Sequence, residues 1–219
     1  MTKNLIDFAI FTLIQFFFIT NILMYLYQGG SYFHPEIDYY VYNQNYLSDL
    51  GRIYYFNQAK NPFWFFYTFS LALVGVGTII YFFIISKLLA RFHYFPVISG
   101  LISGIAYIGL AFLPVDVSYP IHILFGYIAY IFFLLAGVTV MILIDKKAFP
   151  DIYYLILILN ELLIVYLIIG IFSHLIERTE FYLKLKVVLQ KVVVYAQLFI
   201  SVYILCRIKW RYYKVYFTE

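Results

Sequence analysis

A chain of 219 residues that is 65% hydrophobic and only 12% charged cannot bury its apolar surface inside a water-soluble globule, so lipid must cover it. The net charge of +4 comes from basic residues at the ends of apolar stretches and forms no continuous basic face, which excludes nucleic acid as a partner. A single cysteine, Cys206, rules out an internal disulfide.

Six apolar stretches each come close to the ~20 residues that a helix needs to cross ~30 Å of hydrocarbon. They run from Leu5 to Tyr27, Phe63 to Leu89, Val97 to Leu113, Ile121 to Ile144, Ile152 to Ser173 and Val187 to Cys206. The expected fold is all-α: a polytopic bundle of six transmembrane helices forming one domain over residues 1–219. The first stretch exceeds a signal-peptide h-region, and Tyr25-Leu26-Tyr27-Gln28 is no small-residue cleavage site, so it reads as a retained helix.

Between the first two spans lies a long connection, residues 28–62. A loop of this length in a compact domain tends to be functional or self-structured. Gly29-Gly30 end the first helix, His34-Pro35 restart the chain in extended form, and Tyr39 to Leu50 fits a short interfacial helix capped by Gly51. Tyr32, Tyr39, Tyr40, Tyr42, Tyr46, Tyr54 and Tyr55 suit the headgroup region, so the loop is expected to lie on the membrane as an aromatic lid.

Span three carries a small-residue face, Ser99, Gly100, Ser103, Gly104, Ala106 and Gly109. Small residues let helix backbones approach where no hydrophobic effect drives association. Span three is therefore expected at the centre of the bundle, beside Gly126, Ala129, Ala136 and Gly137 of span four. In span five, Glu161 lies near the middle next to Asn160. An ionisable group there is costly, so it is expected to be neutral and hydrogen-bonded across to Gln15, or to carry protons. In span six, Gln190, Val194, Gln197 and Ser201 share one inward face, while Lys191 is expected to snorkel to the outer boundary, with pairing to a buried acid as the alternative.

Orientation follows from the basic residues. Lys3, Lys87, Arg91, Lys146, Lys147, Arg207, Lys209, Arg211 and Lys214 fall on one side, against Arg52, Lys60, Arg178, Lys184 and Lys186 on the other. Both termini are thus expected in the cytoplasm. The basic, aromatic tail 207–219 then meets anionic headgroups, and Cys206 fills a helix end as a small apolar residue. The low-alanine composition, leaning to Ile, Tyr and Lys, points to a multi-pass protein of a prokaryotic plasma membrane.

The remaining polar residues gather at the outer ends: Ser48, Asp49 and Arg52 in the lid, Asp116 after span three, His122 in span four, and His174 with Glu177 after span five. Asp116 and His122 stand six apart across Pro120, so their loop can pair carboxylate with imidazole, as in a general base or a metal site. No His-x-x-x-His pair, cysteine ligand set, nucleophile elbow or phosphate-binding glycine loop accompanies them. No metal or cofactor is expected.

Two short motifs resemble a known family. Tyr46-Leu47-Ser48-Asp49-Leu50-Gly51-Arg52, followed by Asn61-Pro62, and Phe112-Leu113-Pro114-Val115-Asp116 with His122 beyond resemble the six-span family called domain of unknown function 998. That family is related to the DRAM, Frag and Sfk group. The resemblance singles out Ser48, Asp49, Gly51, Arg52, Asn61, Pro114, Asp116 and His122. It implies lipid handling and brings no catalytic machinery.

The expected function is accordingly an accessory or lipid-interacting one. An outward polar pocket under the lid would engage a lipid headgroup or a membrane-protein partner, with Arg52 meeting phosphate. A second expectation is a lipid hydrolase or transferase with His122 as base, Asp116 orienting it and Ser48 or water as nucleophile. A third is a proton-coupled transporter using Glu161.

Overall fold

The computed structural model of the chain describes residues 3–89, 94–172 and 179–216. Six long helices account for most of it: α1 (Lys3–Leu26), α2 (Trp64–Ile85), α3 (Tyr94–Phe112), α4 (Tyr119–Leu143), α5 (Pro150–Phe172) and α6 (Glu180–Tyr216). Each is long and apolar enough to cross a membrane. The prolines mark where helices begin. Pro96, Pro120 and Pro150 fall in the first turns of α3, α4 and α5, where a missing N–H breaks no helical bond. Pro35, Pro62 and Pro114 lie between helices.

The last helix departs from expectation. It starts seven residues before Val187 and continues through the basic run after Cys206, so that run is helical and not a separate tail. With 37 residues at 1.5 Å each, α6 is about 56 Å long. It projects well beyond a ~30 Å hydrocarbon slab.

The helices follow one another around a ring, and α6 closes on α1, with α2 also touching α6. Span three was expected at the centre. Instead α3 takes its place in the ring between α2 and α4, because its small face brings it against α2 directly. A Cβ on Gly104 would stand 2.5 Å from the Gly75 carbonyl oxygen, and one on Gly100 would stand 2.4 Å from the Phe82 side chain. The α3–α4 contact is also close: Ser103 donates to the Ala129 carbonyl at 2.8 Å, and Gly109 receives the Phe125 ring.

Between α1 and α2, Gln15 and Ser70 bond reciprocally: Gln15 Nε2 donates to the Ser70 carbonyl at 2.9 Å and Ser70 Oγ donates to Gln15 Oε1 at 2.7 Å. Gln15 is therefore not the partner of Glu161. Outward faces carry Phe11, Phe18, Phe65, Phe69 and Ile142, a surface this apolar being stable only against lipid or a partner.

The ends of the ring differ. At the tail end, Lys209 bonds Asp7, Arg207 Nε meets Asp151 Oδ2 at 2.7 Å, and Arg211 donates to the Ala148 carbonyl. These contacts draw the start of α1, the α4–α5 connection and the end of α6 together. At the other end, residues 28–62 form the lid.

The lid is a folded plug. Gly30 turns the chain out of α1 with φ +66°, a left-handed conformation that glycine adopts without strain. The expected helix Tyr39–Leu50 does not form. Only Leu47–Gly51 is helical, as a 3-10 segment, because Asn45 offers the backbone other partners: its Oδ1 accepts the Val41 N–H and its Nδ2 donates to the Gly30 carbonyl. Gly51 then seats the segment on α2, where a Cβ would meet the Tyr67 ring at 2.3 Å. A single antiparallel bridge, Tyr54 to Lys60, closes the plug before α2. The loop rests on the helix ends and exposes Tyr32, Tyr39, Tyr42 and Tyr54.

Candidate functional site beneath the lid

A ring of six helices leaves space along its axis, and side chains fill it only in part at the lid end. There a cavity of about 620 Å³ remains, within the usual range of small-molecule sites. Its mouth is polar and contains Ser48, Asp49 and Arg52 of the lid, His122 of α4, and Lys186 and Gln190 of α6. Below them the wall turns apolar and aromatic, with Leu71 and Val74 of α2, Tyr130 of α4 and Val194 and Leu198 of α6.

Asp49 is the most enclosed charge of the mouth, only 2% exposed. Its carboxylate accepts the Tyr46 N–H at 2.7 Å and lies 3.6 Å from Arg52 Nη1. Burial raises its pKa from 3.8 to about 6, opposed by the Arg52 charge, the Tyr46 bond and the Lys191 charge. Arg52 also donates to the Tyr54 carbonyl and covers the Phe56 ring at 4.2 Å. These contacts hold its guanidinium over the cavity. Burial pushes the phenols of Tyr40 and Tyr46 upward, so both remain neutral donors.

His122 and Asp116 do not pair. The His122 Nδ1–H donates to the Leu113 carbonyl at 2.6 Å, which fixes the proton on Nδ1 and leaves Nε2 as the lone-pair nitrogen of the neutral ring. Asp116 turns the other way and accepts the Ile53 and Tyr54 amides at 3.2 and 2.9 Å. A short loop could have joined the two side chains. The lid's free amides compete for the carboxylate and take it, so Asp116 clamps the lid to the α3–α4 connection.

Asn61 is likewise a pin and not a wall of the cavity. It is 1% exposed, donates to the Leu50 and Arg52 carbonyls, and accepts from the Phe63 N–H and the Tyr55 hydroxyl. Gln190 does both: its Oε1 accepts the Leu47 N–H at 3.0 Å while the side chain borders the cavity.

Lys191 does not snorkel to water. It is fully buried, donates to the Asn45 carbonyl, and lies 5.4 and 4.9 Å from the Tyr40 and Tyr42 ring centroids. The folded lid extends over this helix turn, so the ammonium ends beneath it. Glu161 is exposed on the outside of α5, away from Gln15, because α5 turns Asn160 and not its neighbour inward. Asn160 is buried against Gly137, with no hydrogen-bond partner among the described residues. His174 and Glu177 lie outside the described residues. Among the described residues no group of three or more His, Cys, Asp or Glu side chains gathers as a metal site.

Several residues of the cavity went unread in the sequence. Lys186 counted only toward topology. Tyr107, which donates to Gln197 at 2.9 Å, and the Tyr130–Tyr166 ring pair at 5.2 Å form an aromatic floor that no local pattern announced. Inward spacing on α6 was the one available signal, and it did place Gln190, Val194 and Gln197 on the cavity wall.

Fold and cavity together define a class: a bundle of six candidate membrane crossings with a lidded, polar-mouthed cavity at one end. No family model matches the chain, and no curated protein and no solved structure matches it either.

Proposed function

We propose that this is a multi-pass cell-membrane protein with both termini in the cytoplasm, and that the cavity beneath its outward-facing lid binds the anionic headgroup of a lipid. The charge of the mouth carries this reading. Among the described residues that border the cavity, Arg52 and Lys186 are basic and Asp49 is acidic, and in a site partly shielded from water the attraction of the Arg52 guanidinium for a phosphate is strong. Arg52 presents the forked donors that suit a phosphate, and His122, Ser48 and Gln190 add neutral hydrogen-bonding groups around it. The lipid handling of the group that the lid motifs resemble agrees with this role.

Binding of a phosphate-bearing lipid and of its uncharged diacylglycerol counterpart to the purified full chain tests the reading. The wild type should favour the phosphate-bearing lipid, and Arg52→Gln should remove most of that preference while leaving the weaker neutral binding in place. Equal binding of both lipids by the wild type would refute it.

A further inference from the structure

We infer that the apolar depth of this cavity is a seat for one acyl chain, with Gly126 as the residue that keeps it open. The inference rests on the headgroup reading above and adds the class of ligand, an anionic lipid held by its tail as well as its phosphate.

Most other glycines of the bundle are explained by close contact. A Cβ on Gly51, Gly75, Gly100, Gly104, Gly109 or Gly137 would come within 2.3–2.5 Å of a neighbouring atom, so each is small because something else occupies the space. Gly126 is different: a Cβ there would meet nothing within 4 Å, and the residue borders the cavity. It belongs to the small-residue series of α4, yet Ala129 and Ala136 are fully buried in that series, whereas nothing stands opposite the Cβ position of Gly126. Its smallness leaves room for a group that is not part of the chain.

The position of that room is informative. His122, Gly126 and Tyr130 stand four residues apart on one face of α4, and all three border the cavity. The stripe passes from the polar mouth through the gap at Gly126 to the aromatic floor, where Tyr130 meets Tyr107 at 6.0 Å between ring centroids. Eight residues of helix span about 12 Å, close to the ~15 Å of hydrocarbon in one leaflet. Val194 and Leu198 of α6 border the same cavity. A phosphate at Arg52 would therefore have its chain run down α4 past Gly126, with its apolar surface removed from water along its length.

Chain-length preference decides the matter. Binding of palmitoyl and butyryl lysophosphatidate is measured on the purified full chain in amphipol. The wild type should bind the palmitoyl form more than about tenfold tighter. Gly126→Phe should lower palmitoyl affinity by a larger factor than butyryl affinity and so remove the palmitoyl preference, whereas Gly126→Ala should keep that preference. Equal affinities in the wild type would overturn the chain seat while the headgroup reading stands, and this comparison needs no variant. A Gly126→Phe protein that keeps its palmitoyl preference would also overturn the seat. If neither probe binds the wild type, the headgroup reading fails and takes the chain seat with it.

Discussion

Replacing Asn61 by alanine should release the lid. The amide is buried and makes four hydrogen bonds: to the Leu50 carbonyl at 3.0 Å, to the Arg52 carbonyl at 2.9 Å, from the Phe63 N–H at 2.9 Å and from the Tyr55 hydroxyl at 2.8 Å. At roughly 1 kcal/mol net for each, their loss amounts to about 4 kcal/mol. The lid is a peripheral unit joined to the ring by a few such contacts, so the loss should appear as local opening and not as collapse of the bundle. Four kcal/mol corresponds to about a thousandfold rise in the open population. Hydrogen exchange read by mass spectrometry measures it directly. The Arg52, Tyr55 and Asn61 amides, which bond Asp49, Ala59 and Ile53, should exchange about a thousandfold faster, with the amides of α2 as an unchanged internal control. Asn61→Asp sets a carboxylate oxygen against the Leu50 and Arg52 carbonyls that Nδ2 now serves, so at neutral pH it should open the lid at least as far as Asn61→Ala. A rise of less than about tenfold in Asn61→Ala would refute the assignment of Asn61 as the pin of the lid.

Asp49 has a folded pKa near 6 against 3.8 in the unfolded chain, so the folded state retains its proton over a range in which the unfolded state has lost it. Stability should therefore fall as pH rises from about 4 to about 6, by about 3 kcal/mol, and Asp49→Asn should flatten this part of a pH-dependent melting curve. The charged groups facing Asp49 are Arg52 and Lys191. Asp116→Ala strands the Ile53 and Tyr54 amides and should weaken lid closure by about 2 kcal/mol, seen as faster proteolysis within residues 47–62. Gly104→Leu would force a side chain against the Gly75 carbonyl and Ile79 and should cost about 3 kcal/mol or more, or abolish folded protein in a detergent-stability assay. Glu161→Gln, at an exposed position of α5, should change thermal stability by no more than about 0.5 kcal/mol. A large loss there would restore the buried, bonded glutamate that the sequence suggests.

The sequence could place the helices because a membrane makes the decision local. Each crossing must satisfy its own backbone and be apolar over about twenty residues, so hydropathy and proline positions mark all six, and only the reach of α6 escapes them. The candidate mouth was legible in the same limited sense. Ser48, Asp49, Arg52, His122 and Gln190 sit at the ends of spans that alternate in direction, so all five face one end of the bundle.

Long-range partners decided the rest. Asp116 bonds the Ile53 amide across 63 residues and Gln190 bonds the Leu47 amide across 143, and nothing in the neighbourhood of either residue encodes that choice. For the same reason Asp116 turned from His122, the anticipated helix at Tyr39–Leu50 gave way to Asn45, and Lys191 ended beneath the lid. Glycine shows the division most clearly. A sequence records Gly104 and Gly126 as the same small residue in similar series. Only the packed ring makes one a contact between backbones and the other an empty space, because the difference lies in what stands opposite.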